Sequence, residues 1–221
     1  ELLALFIYQI NSSVATFKVG VMNKNLQPNQ KAMARFLELL TQDYDLGEVI
    51  EIRCLKELLT PNTTRFAVHA IDDAVEHVVQ MNKTHNIYCV VNPVPQGVPK
   101  AAKDNDIKRA FFAFVDADEG GAADRARSCD LFSKEFEVVT GLKPHFRNHI
   151  YYRFDEPMTN LSDWTELQKL LAKELGTDTS IHNPSRIMRV AGTISYPPKR
   201  KLERGYQVEL TRLIFGDSYV E

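Results

Sequence analysis

Two aspartates separated by one residue end a strongly apolar run, "RAFFAFVDADEGG", at residues 109–121. In an extended chain, side chains at i and i+2 point the same way, so Asp116 and Asp118 bring two carboxylates together. Carboxylates this close repel each other unless a proton or a cation lies between them. Mg²⁺ and Mn²⁺ bind such carboxylates together with phosphate oxygens, and a pair of these ions can stabilise the attacking and leaving oxygens of a phosphoryl transfer. The alternative is a group of solvated acids at a turn.

A second segment, "KPHFRNHIYYRFDEP" at 143–157, alternates polar and apolar side chains. If it is a strand, one face is apolar and the other is polar and basic. The polar face carries His145, Arg147, His149, Tyr151 and Arg153. A face of histidine and arginine is suited to binding an anion.

A third segment, "GTDTSIHNPSRIMRVAGTISYPPK" at 176–199, adds an acid and two arginines. Asp178 follows a predicted helix, and Arg186 and Arg189 are spaced i, i+3, so on a helical turn they would project together. Two guanidinium groups on one side could hold a triphosphate, although they could equally form surface ion pairs. Basic residues then continue through 204, which indicates a local contact with a polyanion.

The elements that position these residues follow from hydrophobic periodicity. Strands are predicted at 48–55, 64–70, 86–93, 109–117, 146–154 and 206–213, and amphipathic helices at 70–82 and 161–176. Both faces of the 109–117 strand are apolar, so we expect it to be central and covered on both sides. Strands interleaved with helices indicate an α/β (α+β) domain.

Bulk composition excludes several classes of protein. The 221 residues are 44% apolar and 25% charged with a formal net charge of −2, as in a globular chain with a sizeable core. The three cysteines form no CxxC pair for zinc and no even set for disulfides, which favours a reducing, cytoplasmic setting. The apolar N-terminus lacks the features of a signal peptide and is too short to span a membrane.

In their order along the chain, the three motifs resemble the archaeo-eukaryotic primase superfamily, specifically its primase-polymerase and RepB-like branch from phages, plasmids and mobile elements. The family pattern has an acidic pair after a hydrophobic strand, a histidine in a later strand, and a third acid before an arginine-rich "RxxRxxGT" signature. Here these look like "FVDAD", "RNHIYYRFDEP" and "TDTSIHNPSRIMRVAGTISY". The resemblance covers roughly residues 45–213.

The resemblance implies DNA primase or DNA polymerase activity, a template-directed nucleotidyl transfer with Mg²⁺ or Mn²⁺ on a single-stranded DNA template and primer, using NTPs or dNTPs. The implied metal ligands are Asp116, Asp118 and Asp178. The implied nucleotide-binding residues are His149, Arg147, Arg186 and Arg189. The DNA would contact Lys199, Arg200 and Lys201, with Tyr151 or Tyr196 against bases.

Two assignments have alternatives. Asp155 is a second candidate for the third acid, although its "FDEP" context is typical of a strand end and turn. The family often has a small hydroxyl residue where this chain has Arg147. The phosphate-binding site is therefore either more cationic here, or the motif histidine is His145 instead of His149.

The implied fold is a two-lobed module with a central catalytic sheet related to the RNA-recognition motif, a smaller mixed α/β lobe and a cleft between them. We expect residues 1–44 to be a partly helical N-terminal extension and residues 45–221 to be the catalytic domain. The chain begins with glutamate and is interpreted as a piece of a longer protein. A helicase or further domain could accompany it in a bacterial or phage-infected cell.

Two other functions compete with this interpretation. A non-catalytic module that binds single-stranded nucleic acid would explain exposed aromatic and basic residues, but it gives no reason for paired acids at a strand end. A rolling-circle initiator nuclease needs two histidines separated by one apolar residue, whereas "HFRNH" places three residues between them. Sequence alone does not distinguish de novo priming from extension.

Overall fold

A computed structural model describes residues 26–57 and 59–221. Its helices are α1 (Gln30–Thr41), α2 (Ile71–Met81), α3 (Ala122–Arg127), α4 (Leu161–Leu175) and α5 (Lys199–Leu202). Its strands are β1 (Glu48–Leu55), β2 (Asn62–Ala67), β3 (Asn86–Val90), β4 (Val94–Pro95), β5 (Ala110–Ala117), β6 (Lys134–Gly141), β7 (Arg147–Met158), β8 (Ile187–Arg189), β9 (Ile194–Ser195), β10 (Glu209–Leu210), β11 (Arg212–Phe215) and β12 (Ser218–Tyr219). None of these helices is long and apolar enough to cross a membrane.

The strands form antiparallel sheets. The first sheet has the order β2-β1-β3-β8, with β4 also paired to β1, and the second has the order β12-β11-β6-β7-β5. Strands β9 and β10 form a separate two-stranded ribbon. In the second sheet Asp116 of β5 lies directly opposite His149 of β7, so the first two motifs are neighbours by strand register.

Strand β5 is an edge strand among the described residues, and the prediction that it is central in its sheet was wrong. Its side chains are buried on both faces, as predicted, because one face packs in the core between the sheets and the other packs against helix α4. Side chains of α4 also cover the edge that no strand pairs. The Gln168 side chain accepts a hydrogen bond from the Phe114 amide and donates one to the Phe114 carbonyl. The Trp164 indole donates to the carbonyl of Phe112. Side chains thereby satisfy main-chain groups that a neighbouring strand would otherwise pair.

One hydrophobic core joins the two sheets. It contains Ile52 and Cys89 from the first sheet, Phe112 and Phe136 from the second, and Phe36 from α1. The Phe36 ring packs edge-on against Phe136 at 5.7 Å between centroids. Helix α1 thus lies in the core, although it falls within the segment predicted as an N-terminal extension; residues 1–25 of that segment lie outside the described residues.

The start of α1 is fastened to the glycine of the third motif. The Asn29 side chain caps the helix by accepting a hydrogen bond from the Ala32 amide at 3.0 Å. The main-chain amide of Asn29 donates to the Gly192 carbonyl at 2.8 Å. Gly192 has a φ of 77°, and a side chain there would overlap the carbonyl oxygen of Asn29. A glycine is therefore required both by the backbone conformation and by the close approach of the helix.

The predicted strands at 48–55, 64–70, 86–93, 109–117 and 146–154 each correspond to an observed strand, and the predicted strand at 206–213 is divided into β10 and β11. Strand β6 was not predicted. Its sequence, "KEFEVVTG", is interrupted by charged residues, of which Glu137 is buried. Arg127 and Asn148 hydrogen-bond the Glu137 carboxylate, so the charge is compensated inside the fold.

Candidate active site between the two sheets

A cavity of about 290 Å³ is lined by residues from both sheets. It brings together both acids of the first motif, basic residues of the other two, and a lysine of the basic segment that follows them. These residues are Asp116, Asp118, Arg147, His149, Arg189 and Lys201. Asp178, Arg186, Lys199 and Arg200 do not line it.

Asp116 is the acid at this cavity whose pKa is shifted most from its ordinary value. Burial and, to a smaller extent, the nearby carboxylates of Asp118 and Asp178 raise its pKa to about 7, although Lys201 and Arg189 act in the opposite direction. Its side chain is still 26% exposed, so part of the carboxylate faces the cavity. This combination of burial and clustered negative charge favours a bound cation.

His149 is a neutral imidazole in this environment. Burial and, to a smaller extent, the positive charges of Arg189 and Lys201 lower its pKa to about 3. Its Nε2 lies 3.6 Å from Oδ1 of Asp116. Its buried Nδ1 has no hydrogen-bond partner among the described residues. A neutral histidine of this kind can still donate one hydrogen bond to an anion.

His145 occupies a different place from His149. It precedes β7, and its Nε2 lies 2.7 Å from the main-chain oxygen of Asp118. It does not line the cavity. Its contact fixes the turn after β5, whereas His149 faces the carboxylate of Asp116.

Asp118 lies among cations. Its Oδ2 accepts a hydrogen bond from Nζ of Lys201 at 2.9 Å, and the hydroxyl of Tyr206 lies 3.5 Å from the same atom. Nε of Arg147 lies 3.4 Å from Oδ1. The two acids of the motif therefore differ, because Asp116 has no such cationic hydrogen-bond partner among the described residues.

Arg147 is held from several sides. Its guanidinium donates to Oε2 of Glu209 at 3.2 Å and stacks on the Tyr206 ring at 4.3 Å from the centroid. It also donates to the carbonyls of Lys143 and His145. Its side chain is nearly inaccessible apart from its edge on the cavity, so its position is fixed by the fold.

The third acid reaches the site through its backbone. The Asp178 amide donates to the Asp116 carbonyl at 3.0 Å, and Oδ1 of Asp178 accepts from the Ser180 amide at 2.8 Å. Its charge is close enough to raise the pKa of Asp116. Asp155, the alternative, is exposed near the opposite end of β5, where Arg153 pairs with Phe112.

The two arginines of the third motif do not project together. Arg189 lies on strand β8, so the helical turn on which the two side chains would have projected together is not formed. Its guanidinium donates to Oδ1 of Asn86 at 2.8 Å and to the Tyr88 hydroxyl at 2.7 Å, facing the cavity. Arg186 instead donates to the carbonyl of Ser180, within the loop that carries Asp178.

The basic segment and the tyrosines also separate. Lys201 reaches the cavity from α5, while Lys199 and Arg200 are exposed on the same helix. Tyr196 lines the cavity. Tyr151 is completely buried in the core, so the expectation that it stacks on a base was wrong.

A larger cavity of about 420 Å³ lies between the Asp104–Asp106 turn, α4 and the loop after Asp178. The acid that lines it, Asp104, already accepts hydrogen bonds from Ser185 and Asn183. No second carboxylate and no arginine lines it. The chemistry predicted from sequence therefore belongs to the smaller cavity.

No protein-family model and no curated protein sequence matches this chain. Its structure is similar to that of the archaeo-eukaryotic primase domain of the cyanophage S-2L primase-polymerase. The TM-score is 0.59 at 24% identity, over 89% of this chain and 95% of that chain. The chain has the archaeo-eukaryotic primase fold.

The primase fold is shared with two further solved structures. Primase RepB′ matches with a TM-score of 0.53 at 13% identity, over 81% of this chain and 56% of that chain. The catalytic domain of RepB′, solved in complex with initiator DNA, matches with a TM-score of 0.52 at 13% identity, over 84% and 86% of the two chains. The resemblance inferred from the motifs is confirmed at the level of the fold.

Several residues of the site in this primase fold were not predicted. Tyr206 and Glu209 hold Arg147, and Asn86 and Tyr88 hold Arg189. The pair on β3 had a signal in sequence, because Asn86 and Tyr88 are spaced i, i+2 and share a face. Tyr206 and Glu209 had none, since their partner is about sixty residues away along the chain.

The donor atoms fit a divalent metal ion of the kind implied by the primase fold. Asp116 and Asp118 present hard carboxylate oxygens to one cavity, and Asp178 adds negative charge beside them. Over residues 26–57 and 59–221, no three acidic, histidine or cysteine side chains form a ready-made metal-binding group. Mg²⁺ does not require one, because it commonly uses one or two carboxylates together with substrate phosphates and water.

Proposed function

We propose that this chain catalyses template-directed nucleotidyl transfer, as a DNA primase, a DNA polymerase or both. One observation carries the proposal: a carboxylate pair faces the same cavity as two arginines and a neutral histidine, in a chain with the archaeo-eukaryotic primase fold. Carboxylates that can bind metal beside cations that can bind phosphate suit phosphoryl transfer.

Asp116 and Asp118, with Asp178, would hold Mg²⁺ or Mn²⁺. When bound, the metal would supply charge that stabilises the attacking 3′-oxygen and the pyrophosphate leaving group. The chain's own contribution is to hold these acids in place. Strand β5 fixes Asp116, and the amide of Asp178 binds its carbonyl.

The nucleoside triphosphate would bind through its phosphates. Arg189 and Arg147 would provide guanidinium donors, and neutral His149 would provide an uncharged one. Both arginines are already oriented by hydrogen bonds, so little conformational entropy is lost when they bind. Arg186 would act differently, by holding the loop of Asp178 through the Ser180 carbonyl.

We propose that the two sheets correspond to two lobes and that the cavity is part of the cleft between them. Single-stranded template and primer would reach it past α5, where Lys199 and Arg200 are exposed. The similarity to a primase domain solved with initiator DNA supports DNA as the partner. The catalytic unit would then include α1, because that helix is part of the core.

The test is extension of a labelled primer on a single-stranded template with Mg²⁺ or Mn²⁺ and either dNTPs or NTPs. We expect the double variant Asp116→Asn, Asp118→Asn to lose about a thousandfold in rate, since several kcal/mol of metal stabilisation disappear. Adding EDTA should abolish extension by the parent chain.

Asp155→Asn is the matched control, because it removes an exposed carboxylate near the opposite end of β5. It should extend primers like the parent. DNA binding by the parent without any metal-dependent extension would contradict the proposal and favour the non-catalytic binding module.

A further inference from the structure

The two aspartates of the site differ in what neutralises them. Oδ2 of Asp118 accepts a hydrogen bond from Nζ of Lys201 at 2.9 Å, and Oδ1 lies 3.4 Å from Nε of Arg147. The neighbour of Asp116 is the imidazole of His149, at 3.6 Å. A divalent ion that binds Asp118 must therefore take an oxygen that a cationic side chain already holds.

Arg147 is poorly placed to give up its position. Besides Asp118, its guanidinium bonds Glu209 and the carbonyls of Lys143 and His145. Its planar face also rests on the Tyr206 ring. Moving it would break all of these contacts together.

Lys201 has much less to hold it. Among the described residues, the hydrogen bond to Asp118 is the one that its ammonium group makes, and its other neighbour is the Tyr206 ring at 4.9 Å. Its side chain is 34% exposed, and it lies on the four-residue helix α5. A flexible lysine stem in this position can swing its charge by several ångströms without disturbing the fold.

We propose that Lys201 is an exchangeable counter-ion: it neutralises Asp118 before a divalent metal binds, and afterwards it moves to the phosphates of the incoming nucleotide. The inference rests on the proposed function and adds a coupling between its two ligands. The metal takes over the charge of Asp118, and the released ammonium group stays in the cavity beside Arg189. Metal and nucleotide then favour each other's binding.

The coupling predicts that one substitution changes two affinities in opposite directions. Lys201→Met keeps most of the side-chain length and removes the charge. Without nucleotide, it should bind Mn²⁺ about three- to fivefold more tightly than the parent, because the competing, partly exposed ion pair is gone. With saturating Mn²⁺, it should bind dATP about fivefold more weakly, because one phosphate contact is missing.

The measurement is a titration of the full chain with Mn²⁺, followed by electron paramagnetic resonance of the free ion, and then calorimetry with dATP and no DNA. Lys173→Met is the matched control, since it makes the same substitution at an exposed position on helix α4 that does not line the cavity. It should leave both affinities within twofold of the parent. Lys201→Arg keeps the counter-ion, so its Mn²⁺ affinity should be no higher than the parent's.

Three results would overturn the proposal: an unchanged or weaker Mn²⁺ affinity in Lys201→Met, an unchanged dATP affinity, or tighter Mn²⁺ binding by Lys201→Arg. Circular dichroism identifies any variant that has not folded. If Lys201→Met is unfolded, the Mn²⁺ affinity of Lys201→Arg tests the proposal instead. The failure of the proposed function is recognisable separately. If the proposed function is wrong, the parent chain would bind Mn²⁺ no more tightly than the double variant Asp116→Asn, Asp118→Asn. That result would overturn both the proposed function and the role of Lys201.

Discussion

Gly141 matters through the side chain that it lacks. A Cβ atom at this position would overlap the guanidinium of Arg147 and lie 2.6 Å from Oε2 of Glu209. The Arg147 guanidinium therefore occupies space that a side chain at position 141 of β6 would fill. Its position at the cavity depends on this glycine as well as on the residues that it contacts.

Gly141→Ala should displace the Arg147 guanidinium and reduce kcat/KM for the nucleotide by about ten- to a hundredfold, because small misplacements of phosphate-binding groups are costly. Steady-state extension kinetics with varied dNTP would measure the loss. Gly47→Ala is the control, since a Cβ there meets nothing within 4 Å. Equal kinetics for the two variants would show that Arg147 does not contact the nucleotide.

At the residue scale, strand alternation predicted that Asp116 and Asp118 point the same way and that Arg147 and His149 share a face, and all four line one cavity. That the two pairs would meet was implied only by the family resemblance. The pairing of Arg186 with Arg189 was wrong because an i, i+3 spacing joins side chains only on a helix. Residues 187–189 are a strand that completes the first sheet, a tertiary effect that no local spacing shows.

At the element scale, α4 replaces a missing strand. The amide of Gln168 binds both main-chain groups of Phe114, two residues before Asp116. The sequence predicted that both faces of β5 are buried, but not that β5 lies at the edge of its sheet. An apolar pattern does not show whether a strand or a helix lies beside the strand. Strand β6 was not predicted because its buried Glu137 interrupts the apolar pattern of the sequence.

Gln168→Met should destabilise the fold by about 3 kcal/mol, because it keeps the volume but leaves a buried amide and carbonyl of β5 without partners. Urea denaturation would measure the change in the free energy of unfolding. Lys173→Met, an exposed position on the same helix, should change it by less than about 0.5 kcal/mol. If Gln168→Met lowers the free energy of unfolding by less than about 1 kcal/mol, water hydrogen-bonds the main-chain groups of Phe114 in its place.

At the scale of the whole molecule, the two sheets and α1 share one core, although the cavity lined by Asp116 and Asp118 also lies between the sheets. The ordered motifs predicted the fold. They did not predict that α1 belongs to the core, because its contacts with Phe136 and Tyr151 connect residues about a hundred positions apart.

Phe36→Ala should cost about 3–5 kcal/mol and should leave a single unfolding transition, since removing a fully buried ring weakens both sheets together. Thermal unfolding followed by circular dichroism would test both points. Phe215→Ala is the control, because Phe215 is 38% exposed on β11. Two separate transitions in Phe36→Ala would show that the sheets fold independently.

The hydrogen bond from Trp164 to Phe112 has an optical consequence. Trp164 is the sole tryptophan of the chain, it is fully buried, and its indole hydrogen-bonds the main chain of β5, the strand that carries Asp116. Indole emission shifts in wavelength when its hydrogen bonding or its surroundings change. The native protein therefore carries on helix α4 a fluorophore that contacts the strand of Asp116. Stopped-flow fluorescence should follow the binding of the proposed metal or nucleotide in real time without any dye.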